Sequence, residues 1–390
     1  MFEEDKKNLV RNDKRGLPQI RNYQLIKKIG QGTYGKIYLA EDTKNLNLVG
    51  LKIIDKTFLE ILGKSEEAFI EQYMLIHLKH NNIMNLKSCF QTKQKLIFVL
   101  EYLKNGNFED YLQQIQSKNG ILSYETSKFY LAEILNILLY FQEKKMAHLD
   151  LKPGNILMDD RLHLKLIDFA TAKIIGKEFD IISKKFITSN SFNNKKNLNN
   201  LNIIGTLEYT SPEMLNENII NYKSCDIWSF GIIMYELFHG YTPFKGQSDF
   251  ETIENIKNYK LKINEKLPND VKDLIKKLLT YEESKRIGFN DIKEIMNHKF
   301  FKGINFNNLY NEKVPENFKK SISDSQFLER KISFQEELYS TDESTENEIE
   351  NIIDNLPLKN SKNIINFSFG NDYCVVKYEN NLFFHDDYFL

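Results

Sequence analysis

The run His148-Leu149-Asp150-Leu151-Lys152-Pro153-Gly154-Asn155 sets an acid, a lysine and an amide within eight residues, and thirteen residues after its asparagine comes Asp168-Phe169-Ala170. These residue types suit phosphoryl transfer. A carboxylate such as Asp150 can accept or orient the proton of an attacking hydroxyl, and Lys152 can neutralise charge on a transferring phosphoryl group. Asn155 and Asp168 supply hard oxygen atoms of the kind Mg2+ prefers. Four positions in fixed register set this run apart from an ordinary loop that ends in a helix cap.

The elements needed to position such a run are legible on both sides of it. Tyr23 to Ile29, Lys36 to Glu41 and Leu48 to Ile54 are short apolar runs with β-branched content, which predicts the first strands of a small sheet. Between the first two lies Gly30-Gln31-Gly32-Thr33-Tyr34-Gly35, where backbone N–H groups could approach phosphate oxygens without a Cβ in the way. A lone G-x-G-x-x-G is a weak sign. A dinucleotide-binding turn would need a helix opening at the third glycine, yet Lys36 to Ala40 continues as strand. Lys52 sits in an apolar strand, where an isolated lysine would snorkel to solvent. Glu71, nineteen residues later in a helical stretch, is the partner that could hold it against phosphates instead. Glu66 and Glu67 are rivals, but Leu75 and Leu78 favour Glu71 by helical spacing.

A helix is predicted over Glu66 to Leu78 and further strands over Asn85 to Phe90 and Lys95 to Tyr102. Beyond Asn105-Gly106 the character changes to helical periodicity, at Phe108 to Gln116, Ser123 to Lys144, Asp226 to Phe238 and Val271 to Leu279. The expectation is an α+β protein of two lobes, a small antiparallel sheet with one main helix over 23–102 and a larger, mainly helical lobe over 106–301. Outside this plan fall an N-terminal arm (1–22), a polar insertion rich in Asn, Lys and Ser (176–201), an extension (302–335), an acidic linker (336–356) and a tail (357–390) with renewed aromatic content.

Composition narrows the class. With 390 residues, 41% of them hydrophobic, the chain can bury a large core, and a formal charge of −1 implies no bulk attraction to nucleic acid or anionic membrane. Cys89, Cys225 and Cys374 are far apart, which fits neither a disulfide framework nor a zinc knuckle. No apolar run is long enough to span a bilayer, so the expected location is the cytoplasm.

Further runs carry a resemblance. Gly205-Thr206-Leu207-Glu208-Tyr209-Thr210-Ser211-Pro212-Glu213 and Asp226-Ile227-Trp228-Ser229-Phe230-Gly231, with Arg286, complete a pattern over 23–301 that resembles a eukaryotic protein kinase domain. Phe300 to Leu309 resembles the junction after the catalytic domain in the AGC group. Lys104-Asn105-Gly106-Asn107 and Asp168 to Lys173 are most similar to the 3-phosphoinositide-dependent protein kinases.

The resemblance implies a bilobal kinase fold and transfer of the γ-phosphoryl group of ATP, with Mg2+, to Ser or Thr of protein substrates, other AGC kinases among them. It assigns Asp150 and Lys152 to catalysis, Asn155 and Asp168 to the metal and Thr206 to the substrate. To ATP it assigns Gly30, Gly32, Gly35, Ile37, Lys52, Glu71, Glu101 and Leu103. It also implies that Asp226 braces the catalytic run and that Arg286 pairs with Glu213. Lys56 and Leu59 match part of a docking pocket for kinase tails, whereas Glu60 puts a charge where an apolar residue is usual. Ile364-x-x-Phe367-Ser368-Phe369 resembles the hydrophobic motif of such tails.

The departures from the pattern predict regulation. Leu149 replaces an arginine that reads an activation-loop phosphate, and Asn202 stands where the resembled family has the phosphorylated serine, so acceptor and reader are absent together. Ala170 replaces a glycine, at a cost of roughly 1–2 kcal/mol if the position needs a positive φ. Asn107 and Gly154 lack the carboxylates with which basophilic relatives read arginine, which predicts weak selection for basic peptides although Glu236 remains. Leu149 and Ala170 also admit an alternative, a nucleotide-binding pseudokinase acting as a scaffold.

Overall fold

In the computed structural model the described residues are 20–32, 35–92, 94–118, 120–175, 205–216 and 218–315, with three strands at 366–370, 373–378 and 381–383. They divide into two compact units. The first draws on residues within Met1–His77, Asn85–Tyr102 and Gln326–Leu390, the second on Leu78–Met84 and Leu103–Ser325.

The first unit is built on five antiparallel strands, β1 (Tyr23–Gln31), β2 (Gly35–Asp42), β3 (Leu48–Asp55), β4 (Leu86–Gln91) and β5 (Lys95–Glu101), in the order β1-β2-β3-β5-β4. Tyr38, Ala40, Val49, Leu51, Ile53, Phe90, Ile97 and Val99 form one buried cluster across these strands. In the register, Lys52 lies opposite Ile37 on one side and Phe98 on the other. Gly35 has a specific steric role, because a Cβ there would come 2.6 Å from the Ile53 carbonyl oxygen.

Helix α1 (Lys56–Leu62) follows β3 almost without a break, and α2 (Ser65–His77) follows it. The Asp55 side chain accepts from the N–H groups of Thr57 and Phe58 to start α1, and Gly63 ends it at φ 65°. That acid-to-glycine bracket is the signal by which α1, not predicted above, could have been found. Strands β10 (Asn366–Gly370), β11 (Tyr373–Tyr378) and β12 (Asn381–Phe383) make a separate three-stranded antiparallel sheet.

The second unit is mainly helical, with α3 (Phe108–Ser117), α4 (Tyr124–Glu143), the short α5 (Pro212–Leu215), α6 (Tyr222–His239), α7 (Asp249–Lys257), α8 (Asn269–Leu278) and the short α9 (Lys293–Met296). Asn107, Ser123, Asn221 and Ser248 cap α3, α4, α6 and α7 with their side chains. Asp226 therefore lies in the second turn of α6 rather than at its start. Helices α4 and α6 are buried on most of their circumference, the signature of core helices. Two small antiparallel pairs sit beside them, β6 (Met146–Ala147) with β9 (Lys173–Ile174) and β7 (Ile156–Met158) with β8 (Leu164–Leu166).

Leu78–Met84 clusters with this unit although it lies inside the stretch assigned above to the small lobe. The reason is its hydrogen bonding. Asn82 donates to Glu133 (3.1 Å) and to the Leu164 carbonyl (2.8 Å), and Met84 N–H donates to Leu166 (2.9 Å).

Arg286, 2% exposed, ties the unit together. It donates to both carboxylate oxygens of Glu213 (2.6 and 3.0 Å), to the Ser224 carbonyl (2.7 Å) and to the Thr280 carbonyl (3.1 Å). Glu213→Ala would leave a buried guanidinium without its counter-charge. The expected cost is roughly 3–5 kcal/mol, read by urea denaturation followed through Trp228, and a loss below 1 kcal/mol would show the pair to be dispensable.

Candidate active site

The expected residues fall into two sets, one in each unit. In the first unit Lys52 (5% exposed) and Glu71 (2%) form a buried ion pair between β3 and α2. Of the rivals, Glu67 is taken by Lys64 one turn away, and the side chain of Glu66 lies outside the described residues. Burying two charges costs more than an exposed pair returns, so such a pair is better explained by what it positions than by stability. The turn beyond β1 is closed by Gly32 N–H donating to Gly35 O at 2.8 Å, and a Cβ on Gly32 would stand 3.6 Å from the Lys52 side chain. Thr33 and Tyr34 lie outside the described residues. Ile37 packs 3.7 Å from the Cβ position of Gly30. Glu101 ends β5 with its carboxylate accepting from Asn85 N–H at 2.8 Å. Leu103, half-buried, belongs to the second unit.

The second set surrounds Asp150. Its Oδ1 accepts from Thr206 N–H (2.8 Å), and its Oδ2 accepts from Asn155 Nδ2 (2.8 Å) and lies 3.0 Å from Lys152 Nζ. Lys152 Nζ also donates to the Thr206 hydroxyl. Asn155 spends its amide nitrogen on Asp150, both Oδ2 and the backbone carbonyl, which leaves its side-chain oxygen as the atom able to meet a cation. Ile167 N–H donates to the Asn155 carbonyl at 2.9 Å, holding the stretch before Asp168 against Asn155. Asp168 takes φ 60°, a left-handed conformation that aspartate tolerates better than most residues. Phe169 is fully buried against Phe141 and His148.

The loop bearing Asp150 is held by groups that spacing alone did not single out. Leu149 takes φ 66°, and Asp226 accepts from the N–H groups of both His148 (2.7 Å) and Leu149 (2.8 Å). Burial pushes the Asp226 carboxyl above its ordinary value, while nearby His148 and the two amide donors act against that rise. Thr171 donates its hydroxyl to the His148 carbonyl (2.9 Å), and Ser229 donates to Tyr209 O (2.9 Å). Gly205, at φ 86°, leaves no room for a side chain, since a Cβ would meet Leu149 O at 2.7 Å.

The departures that fall on described residues have a physical setting. Leu149 is 4% exposed and clusters with Ala147 and Cys225, with Met214, Ile219 and Tyr222 packed alongside. Lys173 sits over the Tyr222 ring at 4.5 Å. Asn202 and the 176–201 insertion lie outside the described residues, as do the 1–19 part of the arm, the acidic linker and Ile364. Ala170 is not among the residues with positive φ, so the cost considered above does not arise in this conformation. Asn107 is occupied as the cap of α3. The space beside Gly154 holds Glu109, whose Oε2 is 2.8 Å from where a Cβ would be, a carboxylate that the reasoning from Asn107 and Gly154 did not place there. In α1, Lys56 donates to Gln91 (2.6 Å) and to Thr92 O (2.8 Å), and burial pulls its pKa down to about 8. Leu59 is buried, and Glu60 is exposed.

Comparison with known proteins decides the family: the protein kinase domain matches residues 23–301. The chain belongs to the protein kinase family. A probable serine/threonine-protein kinase of Dictyostelium discoideum is 34% identical over 372 residues, covering 88% of this chain and 76% of that protein. Sgk1 of Xenopus tropicalis is 32% identical over 306 residues (77% and 67%). Human 3-phosphoinositide-dependent protein kinase 1 is 30% identical over 298 residues (76% and 50%). The chain spans half of that human protein and a quarter of yeast PKH2, which it matches at 31% identity. The AGC resemblance read from the sequence agrees with these relatives. Among the described residues no helix is long and apolar enough to cross a membrane.

If Glu71 sets the direction of the Lys52 ammonium, Glu71→Gln, which keeps the size and loses the charge, is expected to weaken ATP binding by about tenfold. Titration with a fluorescent ATP analogue reads this, and unchanged affinity would show that Lys52 is oriented by other groups.

Proposed function

We propose that the protein transfers the γ-phosphoryl group of ATP to serine or threonine hydroxyls of protein substrates. The observation that carries the reading is the Asp150 carboxylate, held by Thr206 N–H, Asn155 Nδ2 and Lys152 Nζ within 3.0 Å. A carboxylate fixed at both oxygens keeps its direction while a substrate hydroxyl approaches. Asp150 orients that hydroxyl and takes its proton as the oxygen bonds to phosphorus and the bond to the departing diphosphate breaks. Lys152 offsets negative charge on the group in transit. The Lys152–Thr206 hydrogen bond supports Ser/Thr rather than Tyr as acceptor. Lys52, aimed by Glu71, holds the α- and β-phosphates, and Gly30, Gly32, Gly35, Ile37, Glu101 and Leu103 are the further residues assigned to ATP by resemblance.

Asn155 and Asp168 are the residues that would hold Mg2+. An amide oxygen and a carboxylate fit an ion that takes one or two protein ligands and completes its shell with phosphate and water, whereas no group of three or more His, Cys, Asp or Glu among the described residues offers an all-protein cage. Bound there, Mg2+ would neutralise charge on the phosphates.

Activation segments of related kinases are the substrates suggested by similarity to 3-phosphoinositide-dependent protein kinase 1, with Lys56 and Leu59 as remnants of a docking pocket. A reducing compartment such as the cytoplasm suits Cys89, Cys225 and Cys374, spaced too far apart for a disulfide framework.

Two measurements test the reading. Transfer of labelled phosphate to casein should fall about 10²–10⁴-fold in Asp150→Asn while ATP affinity holds; labelling by neither protein despite ATP binding would favour a scaffold that binds nucleotide without using it, and equal labelling by both would show Asp150 to be dispensable. Exhaustive phosphatase treatment should leave turnover unchanged, because Leu149 meets apolar groups rather than a phosphate. Collapse of activity after that treatment would contradict the apolar anchor.

A further inference from the structure

The β7–β8 hairpin links two parts of the proposed site, since Asn155 immediately precedes β7 and Asp168 follows shortly after β8. Each strand has three residues, too few to hold an antiparallel pair in place unaided. Its turn, Asp159 to His163, is organised by Asp159, whose Oδ1 accepts from the N–H groups of Arg161 (2.8 Å) and His163 (2.9 Å). From the inner side, α4 grips the later half of the turn. Tyr130 hydroxyl donates to Leu162 O (3.1 Å), and Glu133 accepts from Leu164 N–H (2.9 Å) and bonds His163 Nδ1 (2.6 Å).

The earlier half, which leads out of β7, is met from elsewhere. Asn105 Nδ2 donates to the Asp159 carbonyl (2.6 Å). Tyr310, which lies beyond the stretch matched by the family, donates its hydroxyl to Asp159 Oδ2 at 2.8 Å. Its ring lies 4.3 Å from the Arg161 guanidinium and 4.8 Å from the His163 ring. Arg161 returns a hydrogen bond to the Tyr310 carbonyl (3.2 Å). The 3-10 turn that presents Tyr310, Phe306–Asn311, is itself seated by Leu309, 2% exposed, and by Phe306 against Phe301.

We propose that Tyr310 is a positioning residue, clamping the β7–β8 turn so that the hairpin holds Asn155 and Asp168 at a fixed separation for the metal. The proposal rests on the reading of those two residues as the Mg2+ ligands. Three residues of strand on each side give the hairpin little stiffness of its own, so a turn released at Asp159 leaves the spacing of its two ends to the Ile167–Asn155 hydrogen bond and the bond from Leu166 N–H to Asn82 O. Loss of the clamp therefore acts on the cation more than on the nucleotide, whose contacts through Lys52 are made by other residues.

The test uses the full chain and three proteins: wild type, Tyr310→Ala and Tyr310→Phe. The phenylalanine keeps the ring beside Arg161 and His163 and removes the bond to Asp159. Hydrogen exchange without ligand should quicken over 156–168 in Tyr310→Ala. The Mg2+ concentration for half-maximal binding of a fluorescent ATP analogue should rise about tenfold, with affinity in EDTA unchanged. Tyr310→Phe should show a rise of roughly threefold with wild-type thermal stability. Wild-type exchange in Tyr310→Ala would overturn the clamp. Faster exchange with an unmoved Mg2+ requirement would overturn it equally, since the turn would then have no bearing on the ligands. Failure of the underlying reading looks different: wild-type binding would itself be indifferent to Mg2+, which would remove the basis of the proposal.

Discussion

The run proposed for catalysis is held by one buried carboxylate. Asp226, 2% exposed on α6, accepts two consecutive backbone N–H groups, those of His148 and Leu149. Those groups point the same way because the chain kinks through φ 66° at Leu149, a conformation that costs an L-residue about 1–2 kcal/mol. Each buried N–H left unpaired would cost roughly 1–3 kcal/mol, so two satisfied donors outweigh the strain of the kink. Everything that follows in the chain inherits the direction set there. Asp150 is turned toward Thr206 and Asn155, Gly205 can lie against Leu149 O, and His148 reaches Ile167 beside Asp168.

Around that kink the protein uses apolar packing where an arginine was expected by resemblance. Leu149 projects into a cluster with Ala147 and Cys225, bordered by Met214 and Tyr222, and burial pushes the Cys225 thiol well above its usual range. A phosphate would find no arginine at that position. Lys173, the nearby cation, lies over the Tyr222 ring and within 3.2 Å of its hydroxyl. The two absences read from the sequence, Leu149 for arginine and Asn202 for serine, thus meet a folded counterpart on the Leu149 side.

Much of this was legible beforehand, and the reason is physical. Lys52 and Glu71 are a charge in an apolar strand and a charge in an apolar helix, a combination with few explanations other than each other. Asp150, Asn155 and Asp168, the residues proposed for catalysis and the metal, stand at short spacing in one loop and hairpin, so local sequence suffices to single them out. Asp226 and Arg286 were found through the resemblance, since nothing local marks a carboxylate on α6 as the acceptor for amides more than seventy residues earlier. Helix α1 was missed because it starts one residue after a strand and shares its apolar character, although Asp55 and Gly63 bracket it. Glu109 and Tyr310 were missed for another reason. Their roles come from tertiary neighbours, Gly154 and Asp159, that lie 45 and 151 residues away in the chain.

The account stands on the claim that Asp226 aims the catalytic loop. Asparagine at 226 offers one acceptor oxygen and sets an NH2 donor against the other backbone N–H, leaving that group unpaired at a cost of roughly 1–3 kcal/mol. The deciding measurement is kcat for phosphate transfer by Asp226→Asn, with ATP affinity as the internal control. A fall of about ten- to a hundredfold in kcat at unchanged ATP affinity is expected. Wild-type kcat in a folded Asp226→Asn protein would show that the loop holds its direction without this carboxylate.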